Sequence, residues 1–122
     1  GERTIFLGTG TNGGGYLRTY NFNGQESIYV GTGADSSGQI RIYDNSGETG
    51  SFLGSGYFRT YNRFGKLTTF IGNASDGGGY LRTNNKFETE TVFLGTNNAN
   101  EGLINLNDKF GQSFWIRLNK KN

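Results

Sequence analysis

Apolar and polar positions alternate along this chain in short bursts. Tyr16-Leu17-Arg18-Thr19-Tyr20-Asn21 is one burst, and four others align with it. They are Gln39-Ile40-Arg41-Ile42-Tyr43-Asp44, Tyr57-Phe58-Arg59-Thr60-Tyr61-Asn62, Tyr80-Leu81-Arg82-Thr83-Asn84-Asn85 and Leu103-Ile104-Asn105-Leu106-Asn107-Asp108. Each follows a glycine (Gly15, Gly38, Gly56, Gly79, Gly102), at steps of 23, 18, 23 and 23 residues. A second burst follows: Ile28-Tyr29-Val30-Gly31, Ser51-Phe52-Leu53-Gly54, Thr69-Phe70-Ile71-Gly72 and Val92-Phe93-Leu94-Gly95. Ile5-Phe6-Leu7-Gly8 supplies the same motif near the N-terminus. Alternation with period two predicts strands that bury one face. A fixed spacing of this length marks a repeat.

Between the two bursts of a repeat lies Asn/Asp-x-x-Gly: Asn21 to Gly24, Asp44 to Gly47, Asn62 to Gly65 and Asp108 to Gly111. Asn or Asp opens a type I turn, and Gly supplies the positive φ that follows it. Asn85-Lys86-Phe87-Glu88 lacks the glycine, so that turn is expected to be strained or different. Pairing Asn21 with Gln25 sets Leu17 against Tyr29 and Thr19 against Ser27. Equal counting sets Ile40 against Phe52, Phe58 against Phe70, Leu81 against Phe93 and Ile104 against Ile116. It also sets Thr60 against Thr68, Thr83 against Thr91 and Leu106 against Phe114. The opposite face would pair Tyr16 with Val30, Tyr57 with Ile71 and Tyr80 with Leu94. Apolar meets apolar and Thr meets Thr or Ser, which are favoured cross-strand pairs.

The expected fold is all-β: tandem β-hairpins of about 23 residues in one module spanning 1-122. A half repeat covers 1-14, and repeats start near 15, 38, 56, 79 and 102. The short step is a deletion that leaves only Ser55 between Gly54 and Gly56. The chain thus opens half a repeat in, at Gly1 and without Met, as expected of a processed or excised piece. Both faces carry apolar residues, which a lone meander leaves uncovered. The hairpins are therefore expected to intertwine with partner chains in an elongated trimeric fibre; the alternative is a single-chain β-solenoid. The last repeat departs from the others, with Asn105 in the arginine position and a single Trp115, and is expected to cap the array. The Lys120-Lys121-Asn122 tail is expected to fray.

Composition narrows the chemistry. Glycine accounts for 22 of 122 residues, and Cys, His, Pro and Met are absent. No disulfide, thiolate or imidazole is available, which excludes most nucleophilic and metal-dependent catalysis. Collagen is excluded as well, having neither its period nor its proline. A thin, glycine-diluted core struggles against an ordering cost of roughly 1.5 kcal/mol per residue, and repetition or oligomerisation is the usual remedy. The net charge of +2 does not imply nucleic-acid binding, and no apolar run is long enough to span a membrane.

The run Gly13-Gly14-Gly15-Tyr16-Leu17-Arg18-Thr19-Tyr20-Asn21, with Gly24 and then Ile28-Tyr29-Val30-Gly31, resembles the glycine-rich β-repeats of fibrous surface proteins. Shafts of trimeric phage tail fibres and bacterial surface fibres are the class it is similar to. The resemblance implies an extracellular shaft that spaces and stiffens, self-association as a homotrimer or filament, and attachment through a tip. Curli-type repeats share the length, but their internal Gln and Asn ladders are missing. Toxin-shell YD repeats match only at Ile42-Tyr43-Asp44-Asn45-Ser46-Gly47.

Four further patterns carry candidate chemistry. Arg18, Arg41, Arg59 and Arg82 share one repeat position, with Tyr20, Tyr43 and Tyr61 beside them. Such an Arg/Tyr stripe could grip an anionic cell-surface glycan through bidentate contacts and ring stacking, and Trp115 could extend it at the end. The competing reading is a structural stripe that pairs with Glu26, Glu48 or Glu90. Gly8-Thr9-Gly10-Thr11-Asn12-Gly13 spells a dinucleotide fingerprint, but a strand follows it where a helix is needed. Asn12, Asp35 and Asp76 are equivalent loop positions that suit turns better than a calcium site. Asn73-Ala74-Ser75 is a glycosylation sequon wherever the source has that machinery. No cofactor, no metal and no catalytic pair is expected.

Overall fold

The computed structural model describes residues 4–118, with strands and turns and no helix among them. The tail at Lys120 to Asn122 lies outside the described residues. Contacts divide the chain into two compact units, Gly1–Ser55 and Gly56–Asn122, so the division falls at the shortened loop. The first unit holds β1 (Ile5–Thr9), β2 (Gly15–Tyr20), β3 (Glu26–Thr32), β4 (Gly38–Tyr43) and β5 (Thr49–Gly54). The second holds β6 (Tyr57–Tyr61), β7 (Leu67–Asn73), β8 (Gly79–Asn84), β9 (Glu90–Thr96), β10 (Gly102–Asn107) and β11 (Ser113–Leu118). Within each unit every strand pairs antiparallel with its chain neighbours.

The turns follow the sequence signal. The Gly24 N–H donates to the Asn21 carbonyl at 2.9 Å, and the Asn21 N–H donates to the Gln25 carbonyl at 2.8 Å. Asn21 Oδ1 then accepts from the N–H groups of Asn23 and Gln25, both at 3.0 Å. Asp44, Asn62, Asn85 and Asp108 repeat this geometry. Gly24, Gly47, Gly65 and Gly111 take φ between +73° and +88°. Glu88 takes the same seat at φ 66°, so the glycine-free turn keeps the standard hydrogen bonds and carries the strain. The loops between repeats prove to be hairpins of the same kind, with Gly13, Ser36, Gly77 and Asn100 at positive φ. In three of them Asn12, Asp35 and Asp76 cap the turn, each accepting from the N–H two residues on.

The cross-strand register differs from the counted one by a single residue. Tyr20 pairs with Glu26 as counted, but Thr19 pairs with Ile28, because Ser27 is inserted as a β-bulge. Gly50, Thr68, Thr91 and Phe114 are inserted in the same way. Beyond the bulge Leu17 therefore meets Val30, not Tyr29. Likewise Ile40 meets Leu53, Phe58 meets Ile71, Leu81 meets Leu94 and Ile104 meets Arg117. The counted Thr contacts survive within the bulge. Thr19 and Ser27 hydroxyls lie 2.7 Å apart, Thr60 and Thr68 2.9 Å, and Thr83 and Thr91 3.0 Å.

This shift sorts the side chains into two unlike faces, because directly paired residues share a side. One face is aliphatic: Leu7, Leu17, Val30, Ile40 and Leu53 form a row in the first unit. Phe58, Ile71, Leu81, Leu94 and Ile104 form one in the second. The other face alternates aromatics with arginines. Its rows run Phe6, Arg18, Tyr29, Arg41, Phe52 and Arg59, Phe70, Arg82, Phe93, Asn105. Phe70, at 6% exposure, is the one buried hydrophobic side chain among the described residues.

Candidate functional site

The arginine face is built on aromatic stacking over glycine. Tyr57 and Tyr80 stand directly opposite Gly72 and lean across it onto Phe70. Their rings stack on Phe70 at centroid distances of 5.8 and 4.8 Å, and Phe93 stacks on Tyr80 at 5.4 Å. In the first unit Phe6, Tyr16 and Tyr29 stack in sequence at 5.6 and 5.9 Å. A Cβ at Gly31, Gly72 or Gly95 would lie 2.6, 2.5 and 2.5 Å from the Cβ of the opposing tyrosine. Glycine is needed there for close approach, not for turning.

Arginines lie over these rings. The Arg18 guanidinium carbon is 4.7 Å from the Tyr16 centroid and 5.5 Å from that of Tyr29. Arg59 is 4.5 Å from Tyr57 and 5.5 Å from Phe70, Arg82 is 6.0 Å from Phe70, and Arg41 is 5.4 Å from Phe52. Within each unit an aromatic strand separates the two arginines of the row, Arg18 from Arg41 and Arg59 from Arg82, so like charges sit two strand spacings apart, about 9–10 Å. The Nε atoms of Arg18, Arg41, Arg59 and Arg82 are buried without a hydrogen-bond partner. Contact with ring faces takes the place of those hydrogen bonds.

Charge is not spread evenly along the stripe. Arg18 bonds Glu26 at 3.3 Å. Partial burial works against its charge, but Glu26 and the Tyr20 hydroxyl outweigh this and raise its pKa. Arg41, Arg59 and Arg82 have no carboxylate at ion-pair distance among the described residues. A polar cleft of about 240 Å³ opens between Arg18 and Arg41, lined also by Glu26, Tyr29, Gln39 and Tyr43. Burial, and then the Glu26 charge, push the Tyr43 hydroxyl pKa up.

The stripe named from the sequence thus lies on one face of each unit taken by itself: Arg18, Tyr20, Arg41 and Tyr43 in the first, and Arg59, Tyr61 and Arg82 in the second. Only Arg18, Arg41 and Tyr43 of these line the cleft. Trp115 pairs with Leu106 and lies on the aliphatic face, 43% exposed, on the side opposite Arg59 and Arg82. Sequence counting named Glu26 as a partner for the stripe, which Arg18 bears out, but missed Tyr29 and Gln39. The signal for Tyr29 was an aromatic held between Ile28 and Val30, which marks the middle residue as facing the other way. It also missed the turn aromatics. Arg63, Lys86 and Lys109 each lie over the next residue's ring, Phe64, Phe87 and Phe110, at 4.8, 5.0 and 4.9 Å.

In the last repeat Asn105 ends the arginine row. It accepts from the Ser113 hydroxyl and donates to Asn107 at 3.1 Å, and Asn107 donates to the Glu90 carbonyl at 3.2 Å. The Gly8–Gly13 run is the end of β1 and the hairpin turn that joins it to β2. No group of three or more Asp or Glu residues that could hold a metal gathers among the described residues. Among the described residues no helix is long and apolar enough to cross a membrane. No protein-family model matches this chain, and no curated protein is similar to it at a significant level.

Proposed function

We propose that the chain is a structural module of an extracellular fibre, assembled as a homotrimer through its aliphatic face and giving spacing and stiffness. The observation that carries this reading is the uncovered aliphatic row. Leu53, Ile71 and Leu94 are 46%, 45% and 47% exposed, and Phe70 is the only buried hydrophobic side chain among the described residues. Exposed apolar area on this scale is characteristic of an interaction site. Grooves of about 480 Å³ beside Val30, Ile40 and Leu53, and about 610 Å³ beside Leu94 and Ile104, offer seats for partner side chains.

The occupant is a further copy of the same chain, because the row in each unit is apolar or hydroxylated until Arg117 in the last strand. A closed symmetric assembly covers the same face on every copy, and the resemblance to fibre shafts supports three copies. Antiparallel pairing of chain neighbours within each unit favours hairpins over stacked solenoid coils. Melting as a function of protein concentration tests the reading. Wild type should melt higher as concentration rises. Leu53→Lys with Leu94→Lys should abolish that dependence, while Thr11→Lys at a turn should not. A wild-type melt independent of concentration would reject the assembly.

A further inference from the structure

The two units carry the same arginine frame with different fillings, and the difference locates a ligand site. A constant shift of 41 positions takes Arg18 to Arg59, Tyr29 to Phe70 and Arg41 to Arg82. The same shift takes Glu26 to Leu67, Gln39 to Tyr80 and Tyr43 to Asn84. In the second unit Tyr80 stacks on Phe70 and closes the space, leaving Phe70 6% exposed. In the first unit Gln39 stands where that ring would be, and the polar cleft opens.

We propose that this cleft binds a saccharide bearing one carboxylate. Arg18 is neutralised by Glu26, whereas Arg41 has no carboxylate partner among the described residues. The cleft therefore holds one unmatched cation, suited to a monoanion. The Arg41 fork matches a carboxylate in bidentate geometry. Glu26, an acceptor, faces the same space and can take a hydrogen bond from a sugar hydroxyl while repelling a dianion. The Gln39 amide makes no hydrogen bond to the described residues, so its donors and its acceptor are open to ring oxygens and hydroxyls. Its place on the arginine face leaves the aliphatic face free, so the site stands whether or not the chain assembles.

Titration of the 122-residue chain with methyl β-D-glucuronoside, followed by amide NMR shifts, tests the proposal. Methyl β-D-glucoside and inorganic phosphate serve as comparison probes. The expected result is saturable shifts at Arg18, Gln39 and Arg41, with the neutral glucoside and phosphate each at least about tenfold weaker. Arg41→Gln should weaken glucuronoside binding about tenfold or more. Glu26→Leu with Gln39→Tyr, which copies the filling of the second unit, should abolish it while shifts outside the cleft stay in place. Absence of saturable shifts, equal binding of the glucoside, equal binding of phosphate, or retained binding by a folded double variant would each overturn it.

Discussion

Replacing Gly72 with alanine places a methyl group where two strands approach most closely. The new Cβ would lie 2.5 Å from Tyr57 Cβ, 2.6 Å from the Gly56 carbonyl oxygen and 2.8 Å from Tyr57 Cα. Carbon atoms prefer about 3.5–4.0 Å, so the overlap is about 1 Å. Two of those atoms are backbone and cannot rotate away. Relief requires β6 and β7 to separate, which lifts Tyr57 off Phe70. Overpacking of this kind costs about 1–3 kcal/mol, and the stiffer unfolded chain returns about 0.4–1 kcal/mol. The net loss is about 1–2 kcal/mol, a fall in melting temperature of about 4–15 °C for a unit of this size. Gly79 is the control: it has no positive φ, and a Cβ there would meet nothing within 4 Å. Gly79→Ala should melt at or slightly above wild type. Circular dichroism melts at one fixed protein concentration compare the three. A Gly72→Ala protein as stable as wild type, or a Gly79→Ala protein that falls as far, would refute the close-approach argument.

Three other perturbations follow from the same geometry. Thr68→Val removes the 2.9 Å hydroxyl contact with Thr60 across the bulge and should cost about 1 kcal/mol. Additive losses in a double-mutant cycle with Thr60→Val would contradict it. Glu88→Gly relieves a side chain held at positive φ and gives up the surface pair with Lys66 at 2.9 Å. The backbone relief outweighs so exposed a pair, so thermal melts should move up, and a downward shift would count against the strain. Acid should destabilise the protein. The hydroxyl and N–H of Ser46 hold the Asp44 carboxyl below 3.8, Ser37 does the same for Asp35, and Lys66 holds Glu88 below 4.5. Depressed carboxylates add stability above their unfolded values and lose it as pH falls through the folded ones. Melting temperature should therefore decline below about pH 4, and Asp44→Asn should blunt the decline. An unchanged slope would show that the turn carboxylate contributes nothing.

The hairpins were legible because Asn/Asp-x-x-Gly specifies both the turn and its first pair, Asn21 with Gln25. The register beyond that pair was not. A bulge residue such as Ser27 carries no composition signal, and one inserted residue exchanges the two faces of everything after it. Tyr29 was therefore counted against Leu17 on the apolar side, when it stands between Arg18 and Arg41. The arginine stripe survived the error because Arg18, Tyr20 and their equivalents lie on one strand, where period two needs no partner. The cleft did not survive it, since Tyr29 comes from a strand whose faces were exchanged beyond the bulge; Glu26, ahead of the bulge, and Gln39, on the strand of Arg41, keep their side. Glu88, Ser36 and Asn100 show a second limit: the turn's hydrogen bonds impose positive φ on residues that do not prefer it. The glycines were read as turn and strand-end markers. For Gly31, Gly72 and Gly95 the physical reason is the tyrosine opposite, which appears only once the strands are paired.

Sedimentation equilibrium of the 122-residue chain tests the assembly most directly. A mass three times that of the 13.4 kDa chain is expected, reverting to one chain in the Leu53→Lys, Leu94→Lys variant. A mass of a single chain at every concentration, with wild type and variant alike, would contradict it.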